Sequence, residues 1–124
     1  MSHGNKPKKI TINVSATTAI PHPPGLSDGT LSLPIGGPGD AEFTTDVVKG
    51  QPVQFVGTEN ATITKITEDV DLFSTNPTPA NKFTGIVGSL PENETKEYTL
   101  FYTVAGHPGI TYKQDPKIRG KSST

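Results

Sequence analysis

The sequence predicts an all-β domain, an antiparallel two-sheet Greek-key β-sandwich of seven or eight strands. Three observations predict this fold class. Short segments alternate apolar and polar residues, which is the period of a half-buried strand. The 124 residues include 13 Gly and 12 Pro, and breakers at this density divide a chain into short elements. No stretch has the 3.6-residue period of a helix of useful length.

The two clearest strands lie near the two ends of the sequence. Lys8–Ser15 reads K-K-I-T-I-N-V-S, in which three β-branched apolar residues alternate with polar ones. Lys96–Val104 reads K-E-Y-T-L-F-Y-T-V, and it places two tyrosines, a leucine and a valine on one face. Phe101 projects from the opposite face. One apolar face per strand is typical of antiparallel sheets that cover a single core.

The other predicted strands are shorter and are separated by turns. Lys49-Gly50 and Gly57–Asn60 are expected turns, since glycine tolerates the positive φ that many turns require. Pro52 opens a strand, a position where its missing N–H is tolerated. These further strands are Thr30–Leu33, Phe43–Val48, Pro52–Val56, Ala61–Thr67, Phe83–Val87 and Ile110–Gln114, and Asp115–Ile118 closes the fold.

The pattern predicts one domain with short polar ends. Residues 1–7 are expected to be a disordered N-terminal segment, 8–118 the β-sandwich, and 119–124 a polar C-terminal tail. The opening sequence M-S-H-G-N-K-P-K-K has neither an apolar signal region nor a cleavage site, so a cytoplasmic protein is expected. No stretch reaches transmembrane length, so no membrane partner is expected.

Composition excludes several classes of chemistry. The chain has no cysteine, which rules out disulfides, a thiol nucleophile and thiolate metal sites. Its 11 basic and 12 acidic residues give a net charge of −1, and the aromatic residues are not interleaved with basic ones along the sequence. We therefore expect no nucleic-acid partner. No nucleophile elbow or phosphate loop is present, so neither an enzyme nor a bound cofactor is expected.

Several segments together resemble the cupredoxin fold, the β-sandwich of small blue copper proteins. The motif V-V-K-G-Q-P-V-Q-F-V is similar to the K-G-(D/Q)-x-V-x-F/W hairpin of that family. The order of the later strands and the turn between the last two strands also resemble the family. Hairpins of the K-G-x-x-V type occur in immunoglobulin-like sandwiches too, so that fold stays an alternative. The matching segments are 47–56, 83–85, 98–104 and 105–118.

The resemblance implies a copper site that this sequence cannot complete. Blue copper sites use two histidines, a cysteine thiolate and a weak axial ligand, often methionine. The turn Ala105–Gly109 offers His107 but no cysteine, and the single methionine is Met1. The alternative function is therefore a cupredoxin-related protein that binds a metal through His22, His107 and carboxylates, without a thiolate.

The leading hypothesis is a non-enzymatic module for binding, interaction or structure. Loops at the ends of a sandwich carry function more often than strands do. The loop Ile20–Glu42 and the irregular segment Leu72–Lys82 are the expected binding surfaces, and Phe101 is the expected contact with another chain. Self-association through an unpaired strand edge is a specific form of this hypothesis.

Overall fold

The computed structural model describes residues 8–37, 43–68, 72–88 and 90–121. Within these ranges the chain forms eleven β-strands in two sheets and one 3-10 turn at Pro79–Asn81, which confirms the predicted all-β sandwich. The strands are β1 (Ile10–Ala16), β2 (Gly25–Ser27), β3 (Ser32–Leu33), β4 (Thr44–Val47), β5 (Pro52–Glu59), β6 (Ala61–Glu68), β7 (Phe73–Thr75), β8 (Thr84–Val87), β9 (Thr95–Val104), β10 (Tyr112–Gln114) and β11 (Lys117–Gly120).

The first sheet contains six strands in the order β3-β2-β1-β5-β8-β7. At its centre β1 and β5 run parallel, with Ile12 beside Phe55. The other four pairs are antiparallel. Ile12, Val14 and Ala16 are buried on one face of β1, as the alternation in the sequence predicts.

The second sheet is organised around β9, its longest strand. The register pairs Tyr102 with Ile63 of β6 and also with Tyr112 of β10, so β6 and β10 lie along opposite edges of β9. β11 continues along the β10 edge, opposite residues 95–97, and β4 pairs in parallel with β11. The sheet order is therefore β6, β9, then β10 and β11 along one edge, then β4.

The core lies between the inner faces of the two sheets. From the first sheet it takes Phe55, which is 2% exposed, and from the second Leu100 and Ile118, which have no exposed surface. The rings of Phe55 and Tyr98 meet edge to face, with centroids 5.3 Å apart. Contacts of this kind tie the two sheets together and add to the stabilisation from burial alone.

Tyr98 carries a buried hydroxyl that has no hydrogen-bond partner among the described residues. Burial first, and the charge of Asp28 second, raise the pKa of this phenol well above its usual range. We expect Tyr98→Phe to leave the free energy of unfolding unchanged or to raise it by about 1 kcal/mol, because a buried polar group without a partner is destabilising. Urea denaturation measures the change. A loss above about 1 kcal/mol would show that the hydroxyl makes a bond.

The expectation of purely antiparallel sheets is wrong for two strand pairs. β1 runs parallel to β5, and β4 runs parallel to β11. Parallel neighbours require a crossover connection, and the chain makes the first one by passing through β4, in the second sheet, before it returns to β5. Alternation of apolar residues specifies which face of a strand is buried, but it does not specify the direction of its neighbour.

The motif around Lys49-Gly50 is a turn, as predicted, but it does not join a hairpin. β4 and β5 lie in different sheets, and Gly50, with φ 83°, turns the chain from one sheet to the other. The next connection also changes sheets and is shorter than predicted, because residues 57–59 belong to β5. The buried faces of β4 and β5 point toward each other across the core, so the two strands do not pair edge to edge.

Other predicted boundaries also differ from the structure. β2 lies inside the segment predicted to be an irregular loop, and β7 lies inside Leu72–Lys82. β3 is an edge strand, as predicted for Thr30–Leu33. Arg119 and Gly120, assigned to the polar tail, are part of β11, because the Gly120 N–H donates to the Glu94 carbonyl. The predicted disordered segment, 1–7, lies outside the described residues.

Candidate functional site

Two loops that are remote in the sequence meet at one end of the sandwich. Residues 17–24 follow β1, and residues 105–111 join β9 to β10. The Thr18 hydroxyl donates to the Ala105 carbonyl at 2.7 Å. The imidazole Nε2 of His107 lies 2.7 Å from the Thr18 carbonyl and must donate to it, since a carbonyl only accepts. The two loops therefore form one connected surface.

Tyr102 anchors the first loop from beneath. Its hydroxyl donates to the Pro21 carbonyl at 2.9 Å, and the same oxygen lies 2.7 Å from Nδ1 of His22. A phenol has one proton to donate, so His22 supplies the second bond as an Nδ1–H donor. The neutral His22 ring then keeps its free lone pair on Nε2, whereas the ring nitrogen of His107 that does not bond to Thr18 is Nδ1.

Three of the rings at this end form a stack. His22 stacks on Tyr112 with centroids 5.6 Å apart and an interplanar angle of 14°. Tyr102 and Tyr112 are stacked at 5.5 Å, and His107 meets Tyr112 edge to face at 6.3 Å. The Tyr112 ring therefore contacts all three other rings and links β10 to both loops. We call the outward side of this assembly the pole surface, which comprises Thr18, Ile20, His22, His107, Ile110 and Tyr112.

The charge states at the pole surface follow from burial. Partial burial lowers the pKa of His22 from its usual value, because desolvation penalises the imidazolium form. Burial, and to a lesser degree the charge of Tyr112, raises the pKa of Tyr102 above its usual range. Both rings are therefore neutral near pH 7. A neutral phenol and a neutral imidazole act here as hydrogen-bonding and stacking groups.

We expect Tyr102→Phe to lower the free energy of unfolding by about 1–2 kcal/mol, because it removes the donor to the Pro21 carbonyl and the acceptor for His22. The phenyl ring would retain the packing. Urea denaturation measures the loss, and Tyr98→Phe is the matched control because that hydroxyl has no partner among the described residues. Equal effects of the two substitutions would contradict this account of the pole.

Exposed apolar side chains lie in both of these loops. Ile20 is 45% exposed and Ile110 is 46% exposed. A third loop, residues 34–37, packs against the first: the Gly36 N–H donates to the Pro23 carbonyl at 2.9 Å, and an added Cβ at Gly36 would lie 2.9 Å from the Ile20 Cγ2. The pole surface therefore combines ordered aromatic rings with two exposed aliphatic side chains, a composition found in many protein interfaces.

The structure brings the two predicted metal-ligand candidates to the same end of the sandwich. His22 and His107 both contact Tyr112, but one nitrogen of each ring is hydrogen-bonded to a protein oxygen. The described residues contain no group of three or more His, Asp or Glu side chains that could hold a metal ion. The blue-copper ligand set does not fit this chain, because the thiolate ligand is missing.

The other two predicted surfaces lie elsewhere. Phe101 is partly buried on the outer face of the second sheet, beneath the ammonium group of Lys65. The segment Leu72–Lys82 ends in a tightly hydrogen-bonded loop centred on Asn81. The Asn81 side chain accepts from the Thr78 N–H at 2.9 Å and from the Thr84 N–H at 3.0 Å. This loop is therefore an ordered part of the fold.

A shallow cavity of about 170 Å³ lies beside β4 and the turn that joins β2 to β3. One of its two carboxylates, that of Asp28, accepts three hydrogen bonds. The donors are the N–H groups of Thr30 and Leu31, at 2.9 and 2.8 Å, and the buried Thr45 hydroxyl, at 2.7 Å. Asp28 therefore holds the turn against β4, and the other carboxylate of the cavity, Asp46, pairs with Arg119.

Several residues of the site could not be recognised in the sequence. Thr18 carries no local signal, because its partners Ala105 and His107 lie 87 and 89 positions away along the chain. Tyr112 contacts His22, which belongs to the same remote loop as Thr18. The tyrosine at position 102 was predicted to be a core residue, which is correct for its ring. The hydrogen bonds of its hydroxyl depend on where the loop after β1 lies.

No protein-family model matches the chain, and no curated protein matches it. No helix in the described part of the chain is long and apolar enough to cross a membrane. Inferences about function therefore depend on the geometry of the surfaces described above.

Proposed function

We propose that this chain is a non-enzymatic binding module that recognises another protein through its pole surface. One observation carries the proposal: side-chain hydrogen bonds lock the two loops together, and these loops present the exposed Ile20 and Ile110 beside the Tyr112 ring. A surface that is ordered before binding loses little conformational entropy when a partner docks. Tyrosine and exposed aliphatic groups provide the contact area.

The hydrogen bonds of the two histidines support a binding role over a catalytic one. Within the described residues, His22 bonds to a phenol and His107 bonds to a backbone carbonyl. Neither bond activates a nucleophile, which would require a hydroxyl or thiol that donates to the imidazole. Kinship with cupredoxin-like or immunoglobulin-like Greek-key sandwiches stays a prediction alongside this proposal.

The strand edges favour a partner other than a second copy of the chain. β3 has two residues and is followed by Pro34, and β7 has three residues with a register shift. β6 is bulged next to the exposed Lys65, and β4 carries Asp46, which pairs with Arg119. Short, bulged and charged edges are the features with which proteins prevent strand pairing between molecules.

We therefore expect the purified protein to be a monomer. Sedimentation velocity over a wide range of protein concentration would give one species with the mass of the single chain, 13.1 kDa. A dimer that persists on dilution would contradict this expectation. A dimer abolished by Ile110→Ser would further show that the pole surface binds a second copy.

Site-specific photocrosslinking tests the proposed function. A benzophenone amino acid replaces Ile110 on the pole surface, and in a control protein it replaces Asn93, which is exposed in the turn before β9 at the other end of the sandwich. In the native cell, we expect one adduct of defined mass from position 110 and none of that mass from position 93. The same adduct from both positions, or no adduct from position 110, would contradict the proposal.

A second candidate function is the binding of a transition metal by His22 and His107. The observation that favours it is the tautomer assignment, because each ring donates one N–H to an oxygen and keeps a lone pair on its other nitrogen. Metal-bound histidines have this type of outer hydrogen bond. Native mass spectrometry of the protein with added Cu²⁺ or Zn²⁺ tests it. A stoichiometric ion that is lost in both His22→Ala and His107→Ala would support this function.

A further inference from the structure

A row of three side chains crosses the outer face of the second sheet. Phe101 of β9 lies directly opposite Lys65 of β6 on one side and Lys113 of β10 on the other. Side chains directly opposite each other in antiparallel strands project from the same face of a sheet. The Lys65 ammonium lies over the Phe101 ring, 5.7 Å from its centroid. We call these three residues the Lys–Phe–Lys row.

Both lysines of the row lack an ion-pair partner among the described residues. Lys96, Arg119 and Lys121 have carboxylate partners, whereas Lys65 interacts only with the Phe101 ring and Lys113 has no charged neighbour in contact. Lys65 and Lys113 lie on the two strands that flank β9, so their backbone positions are two strand spacings apart, about 10 Å. A row with this charge pattern is complementary to a ligand whose negative charges are separated from one another.

The surroundings of the row are hydroxyl-rich. On one side Thr62 pairs with Thr103, and on the other Thr67 pairs with Thr99. The Thr99 hydroxyl donates to the Asp115 carboxylate at 2.7 Å. β9 has a neighbouring strand along each edge, so an extended peptide cannot pair with the backbone of the central strand of the row. A ligand would therefore lie flat on the sheet and contact side chains only.

We propose that the Lys–Phe–Lys row binds an anionic polysaccharide in which uronate residues alternate with neutral sugars. The carboxylates would pair with Lys65 and Lys113, which would take the Lys65 ammonium off the Phe101 ring. The C–H face of a sugar ring would then pack on Phe101 between the two lysines. Hydroxyl groups of the neutral sugars would bond to the threonine hydroxyls. This surface is separate from the pole surface, so sugar binding here would be a second activity that does not depend on the proposed function.

Charge spacing distinguishes this ligand from a single-stranded nucleic acid. Nucleic-acid surfaces combine a continuous basic groove with successive aromatic platforms, whereas the row has one aromatic ring. Two carboxylates lie near the row: Asp115, in the connection between β10 and β11, and the exposed Glu97 of β9. These carboxylates repel a chain that is charged at every residue more strongly than one charged at every second residue, and they can accept hydrogen bonds from neutral sugar hydroxyls.

Isothermal titration calorimetry with a hyaluronan octasaccharide tests the proposal on the full chain. We expect a Kd of about 0.1 mM at low salt and at least a tenfold weakening in Lys65→Gln, Lys113→Gln and Phe101→Ala. Phe101→Leu retains apolar packing while removing the ring, and it should weaken binding as well, with little change in melting temperature. Lys49→Gln is the matched control, because Lys49 is exposed in the turn between β4 and β5, away from the row.

Each alternative result overturns the proposal in a specific way. Absence of binding at about 1 mM octasaccharide removes it altogether. Equal weakening by Lys49→Gln would mean that the sugar responds only to net charge. Full affinity in both Phe101 variants would show that no sugar ring packs on Phe101. Equal binding of a neutral dextran oligosaccharide would show that ion pairs with the lysines do not contribute. Tighter binding of an oligo-dT of similar length would assign the surface to nucleic acid.

Discussion

Replacing Phe55 with alanine is expected to lower the free energy of unfolding by about 3–5 kcal/mol. Phe55 is 2% exposed at the centre of the first sheet and meets the Tyr98 ring of the second sheet at 5.3 Å. The substitution removes the transfer free energy of the ring and leaves a cavity between two sheets, neither of which can close it without moving. A loss of this size approaches the entire free energy of unfolding of a small domain.

Urea denaturation with the matched variant Val56→Ala measures this effect. Val56 is the next residue of β5 and its side chain points to the other face, where it is only partly buried. We therefore expect Val56→Ala to cost well under half as much as Phe55→Ala. Similar losses for the two variants would mean that the contact between the sheets at Phe55 is not the main stabilising contact of β5.

The second large effect is expected at Gly57, where alanine should lower the free energy of unfolding by about 3 kcal/mol. A Cβ at this position would lie 2.5 Å from the Ala61 carbonyl oxygen and 3.3 Å from the Ile63 nitrogen. Both atoms belong to the backbone of β6, which passes close to β5 where the chain changes sheets. Backbone cannot swing aside as a flexible side chain can, so the strands must separate.

The direction of the expected change for Gly57→Ala, a loss of stability, is opposite to the usual effect of replacing glycine with alanine in a strand. In an ordinary strand, alanine is more stable than glycine by about 0.5–1 kcal/mol, because glycine loses more backbone freedom on folding. Thermal and urea denaturation of Gly57→Ala measure the difference. A variant as stable as the original chain would show that β6 does not approach β5 as closely as the structure has it.

Strand faces could be predicted from the sequence because burial follows a period of two within each strand. The apolar faces of β1 and β9 are buried where the alternation places them. Strand partners could not be predicted in this way. The pair β1–β5 and the pair β4–β11 depend on which strands meet across the sandwich, and no local pattern records that choice.

The same distinction applies to the candidate site. His22 and His107 could be singled out because histidines in Pro- and Gly-rich loops are conspicuous, and both do lie at one end of the fold. Tyr112 contacts both histidines but reads in the sequence as an ordinary strand residue. Likewise, aromatic and basic residues are separate along the chain, yet the register of three strands places Phe101 between two lysines.

The position of β11 between β9 and β4 has a consequence for synthesis on the ribosome. Asp46 of β4 and Arg119 of β11 are 73 positions apart, so β4 leaves the exit tunnel long before its neighbour exists. Until then β4 has no strand to pair with, and the second sheet stays incomplete. The second sheet should therefore be completed only after nearly all of the described chain has been released. In nascent chains stalled before residue 117, β4 should remain sensitive to protease.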